Sequence, residues 1–251
     1  MSTLRMAFHR LRVEAWAQSL ATLRTPAFAL PSLLFPATFY AVFGLLLPFG
    51  GGQERATWLF ATYCVFGVIG PALFGFGAGI ASERQSGWLA LRRVGPAPTW
   101  SYFAGKIAMS LCFAMLIILL LTALATAGGV RIAPHRWLLL AITLLLGTLP
   151  FCALGLLIGS VFRAQPAVAM VNLVYMPMAL LSGLWMPLTL LPQWLQAAAP
   201  VWPAWHLAQL ALAAVGLNPG APVTLHVLAL AAFGAVFLTL AARVFERSAA
   251  R

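Results

Sequence analysis

Four carboxylates, four histidines and three cysteines are the side chains with which this 251-residue chain would have to do chemistry. The carboxylates are Glu14, Glu54, Glu83 and Glu246, and all stand outside the long apolar runs that make up most of the chain. A protein that moves protons or cations unaided through hydrocarbon ordinarily carries an ionisable group at that depth, so their placement argues against such coupling. His206, His226, Ser160 and Ser182 belong to no GxSxG elbow or HExxH pair that would order them into a nucleophile or a metal site. The two imidazoles read as interfacial or helix-capping groups. Cys64, Cys112 and Cys152 each lie in an apolar run, with no CxxC spacing and no histidine alongside, and read as small buried apolar residues. No metal site is expected, and no nucleotide site: there is no GxxxxGK[ST] loop, and Gly105-Lys106 opens an apolar stretch.

The elements that must position these groups follow from composition. With 63% hydrophobic residues, 8% charged residues and a mean hydropathy of +0.96, the chain is an all-α integral membrane protein. The net charge of +11 does not indicate nucleic acid, because the basic residues are spread along the ends of apolar segments. A spanning helix needs about 20 apolar residues at about 1.5 Å of rise each. Six stretches qualify: Ala27 to Phe49, Ala56 to Ala81, Gly105 to Ala127, Trp137 to Val161, Ala167 to Trp185 and Pro222 to Ala242. The second carries Gly67, Gly70, Gly75, Gly77 and Gly79, small residues that let helices approach closely in a bilayer. Twelve of the 15 basic residues fall on the side of the two termini and three, Arg55, Arg131 and Arg136, on the other. The positive-inside rule then places both termini in the cytoplasm.

The chain divides as one transmembrane domain, 1–251, with a cytoplasmic interfacial helix at 1–26, a cytoplasmic loop at 82–104 and an outer, partly re-entrant segment at 187–221. The first 24 residues carry four arginines and lack the compact apolar core of a cleavable signal peptide. Leu4, Phe8, Leu11 and Ala15 form one helical face, and Arg5, His9, Arg12 and Trp16 a neighbouring one suited to phospholipid headgroups. Within the loop, Glu83 to Arg93 reads as one short helix ended by Gly95-Pro96, with Trp88 and Leu91 projecting from the same face. Such a helix either docks in a groove of another protein or lies flat on anionic lipid; its residues alone fit both. Between spans five and six, the apolar faces of Trp194, Leu195, Trp202, Trp205, Leu207 and Leu210 fit short helices at the outer interface. Polar residues inside spans are few. Asn172, Tyr175 and Thr62 are the candidates for lining a path, which would suit an amphipathic cargo better than a bare ion.

The run Glu83, Gly87, Leu89, Leu91, Pro96, Gly105 and Lys106 resembles the transmembrane subunits of ABC-2 type transporters. Trp88 stands where that family often has threonine, and Ala90 where a second acid is frequent. Ser182-Gly183-Leu184-Trp185-Met186-Pro187, followed by Leu191-Pro192-Gln193-Trp194-Leu195 and Pro200, is similar to the same family. The resemblance implies a coupling helix in which Glu83, Arg84, Gly87, Trp88, Leu91 and Arg92 meet an ATP-binding subunit, aided by Arg5 and Arg12 of the N-terminal helix. It implies an outer gate at Trp194 and Trp202. It also implies a permease of an ATP-driven exporter in the cytoplasmic membrane, paired with a second copy of itself or a homologous permease. ATP and Mg would then be bound by the partner subunit, and the cargo would be a drug, antibiotic, lipid or glycolipid. Beside this stand two alternatives: a secondary transporter, and an intramembrane enzyme or assembly factor that transports nothing.

Overall fold

The computed structural model describes residues 3–46, 52–94, 98–218 and 220–249, with the backbone alone at 3–7, 90, 93, 99 and 245–249. All regular structure among them is helical, as hydrocarbon requires of a chain that must satisfy its backbone N–H and C=O groups internally. The order is α1 (Thr3–Leu23), α2 (Pro26–Tyr40, prolonged by a π-helical turn at Ala41–Leu46), α3 (Gly52–Gln85), α4 (Trp88–Arg93) and α5 (Thr99–Ala127). There follow α6 (Pro134–Gly147), α7 (Leu149–Val161), α8 (Ala164–Leu181), α9 (Gln193–Ala198), α10 (Pro203–Val215) and α11 (Val223–Ala249).

Six segments are long and apolar enough to cross a membrane: Pro26–Leu46, Gly52–Gln85, Trp100–Ala127, Pro134–Val161, Ala164–Leu181 and Val223–Val244. They are the six stretches expected from hydropathy, with moved ends. Span one reaches Leu46, and its expected end at Phe49 lies outside the described residues. Span five stops at Leu181 and not at Trp185, because Gly183 adopts φ +72° and the Gly183 and Leu184 N–H groups return to the carbonyls of Leu180 and Ala179. The fourth span is two helices, interrupted at Thr148 ahead of Pro150, whose ring has no N–H to continue the ladder.

α3 is the axis of the bundle, with 83% of its apolar window buried, and α2, α5, α7, α8 and α10 pack around it. Small residues set the closest of these contacts. A Cβ on Gly159 of α7 would stand 2.6 Å from the Phe76 carbonyl oxygen, and one on Gly77 would stand 2.7 Å from Val171 of α8. The close packing expected of the α3 glycines is therefore met at Gly77. The tightest approach to backbone, at Gly159, comes from α7.

Candidate functional site

The polar side chains gather at one end of the bundle, where α3 gives way to α4. The single helix expected over Glu83 to Arg93 is not what forms. α3 runs on to Gln85, and Gly87 turns the chain at φ +76°, a left-handed conformation that glycine adopts without penalty. α4 then starts afresh, its first backbone bond running from the Leu91 N–H to the Gly87 carbonyl. Glu83 and Arg84 therefore belong to the last turn of a spanning helix, and Trp88, Leu91 and Arg92 to a separate short one. Gly95 and Pro96 lie outside the described residues.

That break lets the last turn of α3 hold two neighbours at once. Glu83 turns to α5, where its carboxylate accepts from the Tyr102 hydroxyl and, at 2.9 Å, from the Lys106 ammonium. Lys106 is buried, so Glu83 supplies the counter-charge that its desolvation demands. Arg84 turns the other way. Its guanidinium donates to the backbone carbonyls of Ser160 and, at 2.7 Å, Phe162, clasping the C-terminal end of α7, while Gln85 accepts the Ala164 N–H at the start of α8. Cations are favoured at that helix end because its last carbonyls carry partial negative charge.

α4 is fastened in turn to α1. Arg92 makes a bidentate pair with Glu14, both bonds 2.8 Å, the fork geometry that makes such pairs the stronger kind. Gln18 donates to Glu14 at 2.7 Å and to the Tyr102 carbonyl at 3.3 Å, and the Arg92 guanidinium lies 5.1 Å from the centre of the Tyr102 ring. Burial pushes the Glu14 carboxyl up, but the bonds from Arg92 and Gln18 outweigh it and hold the group below the usual carboxylate value; the same pairing raises Arg92. Close approach is needed here too: a Cβ on Gly105 would stand 2.5 Å from Cγ of Glu14.

α1 meets α5 through Glu14 and Gln18, a polar contact that the apolar spacing along the helix does not announce. Phe8 and Trp16 are 68% and 70% exposed. Arg12 is exposed, and the side chains of Leu4 and Arg5 lie outside those described. On α4, Trp88, Leu91 and Val94 are 48%, 63% and 83% exposed, an apolar face turned away from the chain.

Sequence reasoning found Glu83, Arg84 and Arg92 but missed their partners Glu14, Gln18, Tyr102 and Lys106. The sole carboxylate of an arginine-rich helix, four residues ahead of Gln18, was the signal available.

The three candidates for a path behave differently. Thr62 and Tyr175 are buried, their hydroxyls spent on backbone: Thr62 on Trp58 and Leu59 of its own helix, Tyr175 on Phe66 of α3 at 2.6 Å. Asn172 is half-buried on α8 and donates to Val168 one turn back, at 3.0 Å.

At the opposite end, Trp194 on α9 is 71% exposed, whereas Trp202 packs against the core. α10 is a short helix, as expected, and does not lie on the outside of the bundle. It is set among α3, α6 and α11, with Leu207 fully buried and Leu210 nearly so. His206 and His226, read from the sequence as interfacial or helix-capping groups, come together at this end. They are buried against each other with Nδ1 to Nδ1 at 3.0 Å, and His206 Nε2 stands 3.0 Å from the Pro200 carbonyl. With Nε2–H donating to that carbonyl, the bare Nδ1 of His206 accepts from Nδ1–H of His226. Nε2 of His226 is then a buried acceptor with no partner.

Residues 46–243 match the family described as ABC-2 family transporter protein. The chain is also 30% identical, over 234 residues covering 92% of it and 94% of the relative, to the Bacillus subtilis (strain 168) protein named "Putative transport permease YvfS".

Proposed function

The chain belongs to the ABC-2 family of transporters, and from that premise we propose that it is the membrane permease of an ATP-driven exporter, worked by a separate ATP-binding subunit that seats on α4. The observation that carries this reading is the construction of the α4 end. An exposed apolar face, Trp88, Leu91 and Val94, sits on a helix ion-paired to α1, directly after a helix turn that grips α5 on one side and α7 on the other. An amphipathic helix presenting an i, i+3, i+6 apolar face suits a hydrophobic groove on a partner protein. Its neighbours convert a push on that face into movement of three spans.

In this reading the α4 end and both termini face the cytoplasm, in agreement with the distribution of basic residues. ATP and Mg are bound by the partner. Two permeases, identical or homologous, stand side by side in the cytoplasmic membrane, and the cargo is a hydrophobic or amphipathic molecule of the drug, antibiotic, lipid or glycolipid class. Asn172 lines the path from the exposed side of α8, and Tyr175 and Thr62 join it when α3 and α8 part. Trp194 and Trp202 close its outer end. Arg5 and Arg12 add charge to the docking surface.

The test is a paired substitution. Trp88→Asp with Leu91→Asp is expected to abolish co-purification of the ATP-binding subunit, and with it ATP-dependent transport in sealed vesicles, while membrane insertion is unchanged. Transport by the purified chain alone, or an ATP-binding subunit held as well by the variant as by the parent, would overturn the proposal.

A further inference from the structure

A second surface is built along α11. A groove of about 1260 Å³ runs between α11 and the spans α5 and α6–α7, floored by α10. Its lining is apolar apart from the Thr143 hydroxyl, the Cys152 thiol and the Trp100 indole. Along α11 it extends from Val223 to Ala242, about 28 Å at 1.5 Å per residue, close to the thickness of the hydrocarbon core. Val223, Val227 and Leu238 on its wall are each about half exposed, so the groove opens sideways to lipid.

One charge stands at its α10 end. Arg136 lies on α6 one turn beyond Leu139 and two beyond Thr143, both of which line the groove. Its guanidinium is folded onto Gly216, two residues beyond the groove residue Ala214 of α10, so closely that a Cβ on Gly216 would collide with it. The ion pairs Arg92–Glu14 and Lys106–Glu83 both lie at the opposite end. Arg136 is half-buried and without a carboxylate, at an end of the molecule where Arg131 is exposed as well.

We propose that this groove binds one anionic phospholipid, its headgroup phosphate on Arg136 and its acyl chains along α11. A guanidinium matches a phosphate with two parallel N–H donors, and the half-buried setting strengthens the contact relative to water. Chains of one leaflet reach about half of the 30 Å core, from Val223 past Val227 to Ala231. A zwitterionic lipid such as phosphatidylcholine meets the same apolar walls and carries the same phosphate, but its own choline cation offsets that charge and crowds the guanidinium, which separates a held anionic lipid from ordinary lipid contact. The proposal rests on the reading above only in assigning the Arg136 end to the outer leaflet.

The test uses the full chain, without any ATP-binding subunit, in nanodiscs of phosphatidylglycerol or phosphatidylcholine, followed by native mass spectrometry after mild release. One phosphatidylglycerol is expected to stay bound and phosphatidylcholine is not. Arg136→Gln should lower the retained phosphatidylglycerol by roughly tenfold, the size expected for a lost charge-assisted contact. Arg136→Lys should lower it less, and Ala231→Trp, which fills the groove at an exposed position, should remove it. Equal retention of the two lipids, an unchanged Arg136→Gln variant or an unchanged Ala231→Trp variant would each overturn the assignment. None of these outcomes bears on docking at α4, since neither ATP nor transport enters the measurement.

Discussion

The two ends of this molecule are joined by different forces. At the α4 end the ties are charged and directional: Glu14 to Arg92, Glu83 to Lys106, Arg84 to the carbonyls of α7. At the α10 end a buried helix is wedged among three spans, and the polar contact that ties it to α11 joins two neutral imidazoles. Directional bonds fix the register of the pieces they join and so carry a displacement from one to the next. Apolar packing holds pieces together while leaving them free to slide. On the proposed function, one end would receive a push and the other yield to it.

The contrast can be tested by breaking each end in kind. The largest effect is expected from Glu83→Gln, which leaves the Lys106 ammonium buried without a counter-charge. Thermal unfolding in detergent should show a loss of about 3–5 kcal/mol, and adding Lys106→Met should recover most of it. If the double variant is as unstable as the single, the pair is not what holds α3 to α5.

Gly159→Leu comes next. It forces a side chain against the Phe76 carbonyl and should cost about 1–3 kcal/mol by the same measurement, a packing penalty that no counter-charge can rescue.

Glu14→Gln should cost about 1 kcal/mol, since the pair is partly exposed. Limited proteolysis between α1 and α2 should reveal it better than global melting. Its pH behaviour carries a sign. Glu14 is held below its ordinary value of 4.5, so its contribution is complete above that value and is lost as pH falls through the lower, folded-state value. Protection of α1 should therefore be flat through neutrality and fade only in acid, and Glu14→Gln should abolish that fading.

The smallest effect is expected at the other end. Replacing His206 and His226 together by phenylalanine exchanges a polar pair for an apolar one of similar shape, and should change stability by less than about 1 kcal/mol. A loss as large as that of Glu83→Gln would mean that both ends are held in the same way.

The six spans could be read from hydropathy because each carries its own signal, about 20 apolar residues in a row. What escaped depends on residues far apart in the chain. Gly87 breaks Glu83 to Arg93 into two helices, and the break has use only because Lys106 and Ser160 wait on opposite sides of it. The seat of α1 on α5 was not legible because the contact is polar and fits a glycine on α5, neither of which shows in the spacing of apolar residues along α1. His206 and His226 stand 20 positions apart on two helices, and nothing local in either segment announces that they meet. The prolines around Leu207 and Leu210 forbid a full span, yet a helix too short to cross can still be buried between those that do.

The interruption of the fourth span at Thr148 separates it into two rods with different companions. The upper rod, α6, rests chiefly on α10, while the lower rod, α7, lies along α3 and α11 and has its tip in the grasp of Arg84. Pro150 removes one rung at the joint, and the Thr148 hydroxyl bonds back to Leu144. Such an elbow lets the lower rod swing with α3 while the upper one keeps its seat. On the proposed function, a stroke arriving at α4 would be spent in the near half of the membrane before the far half had to respond.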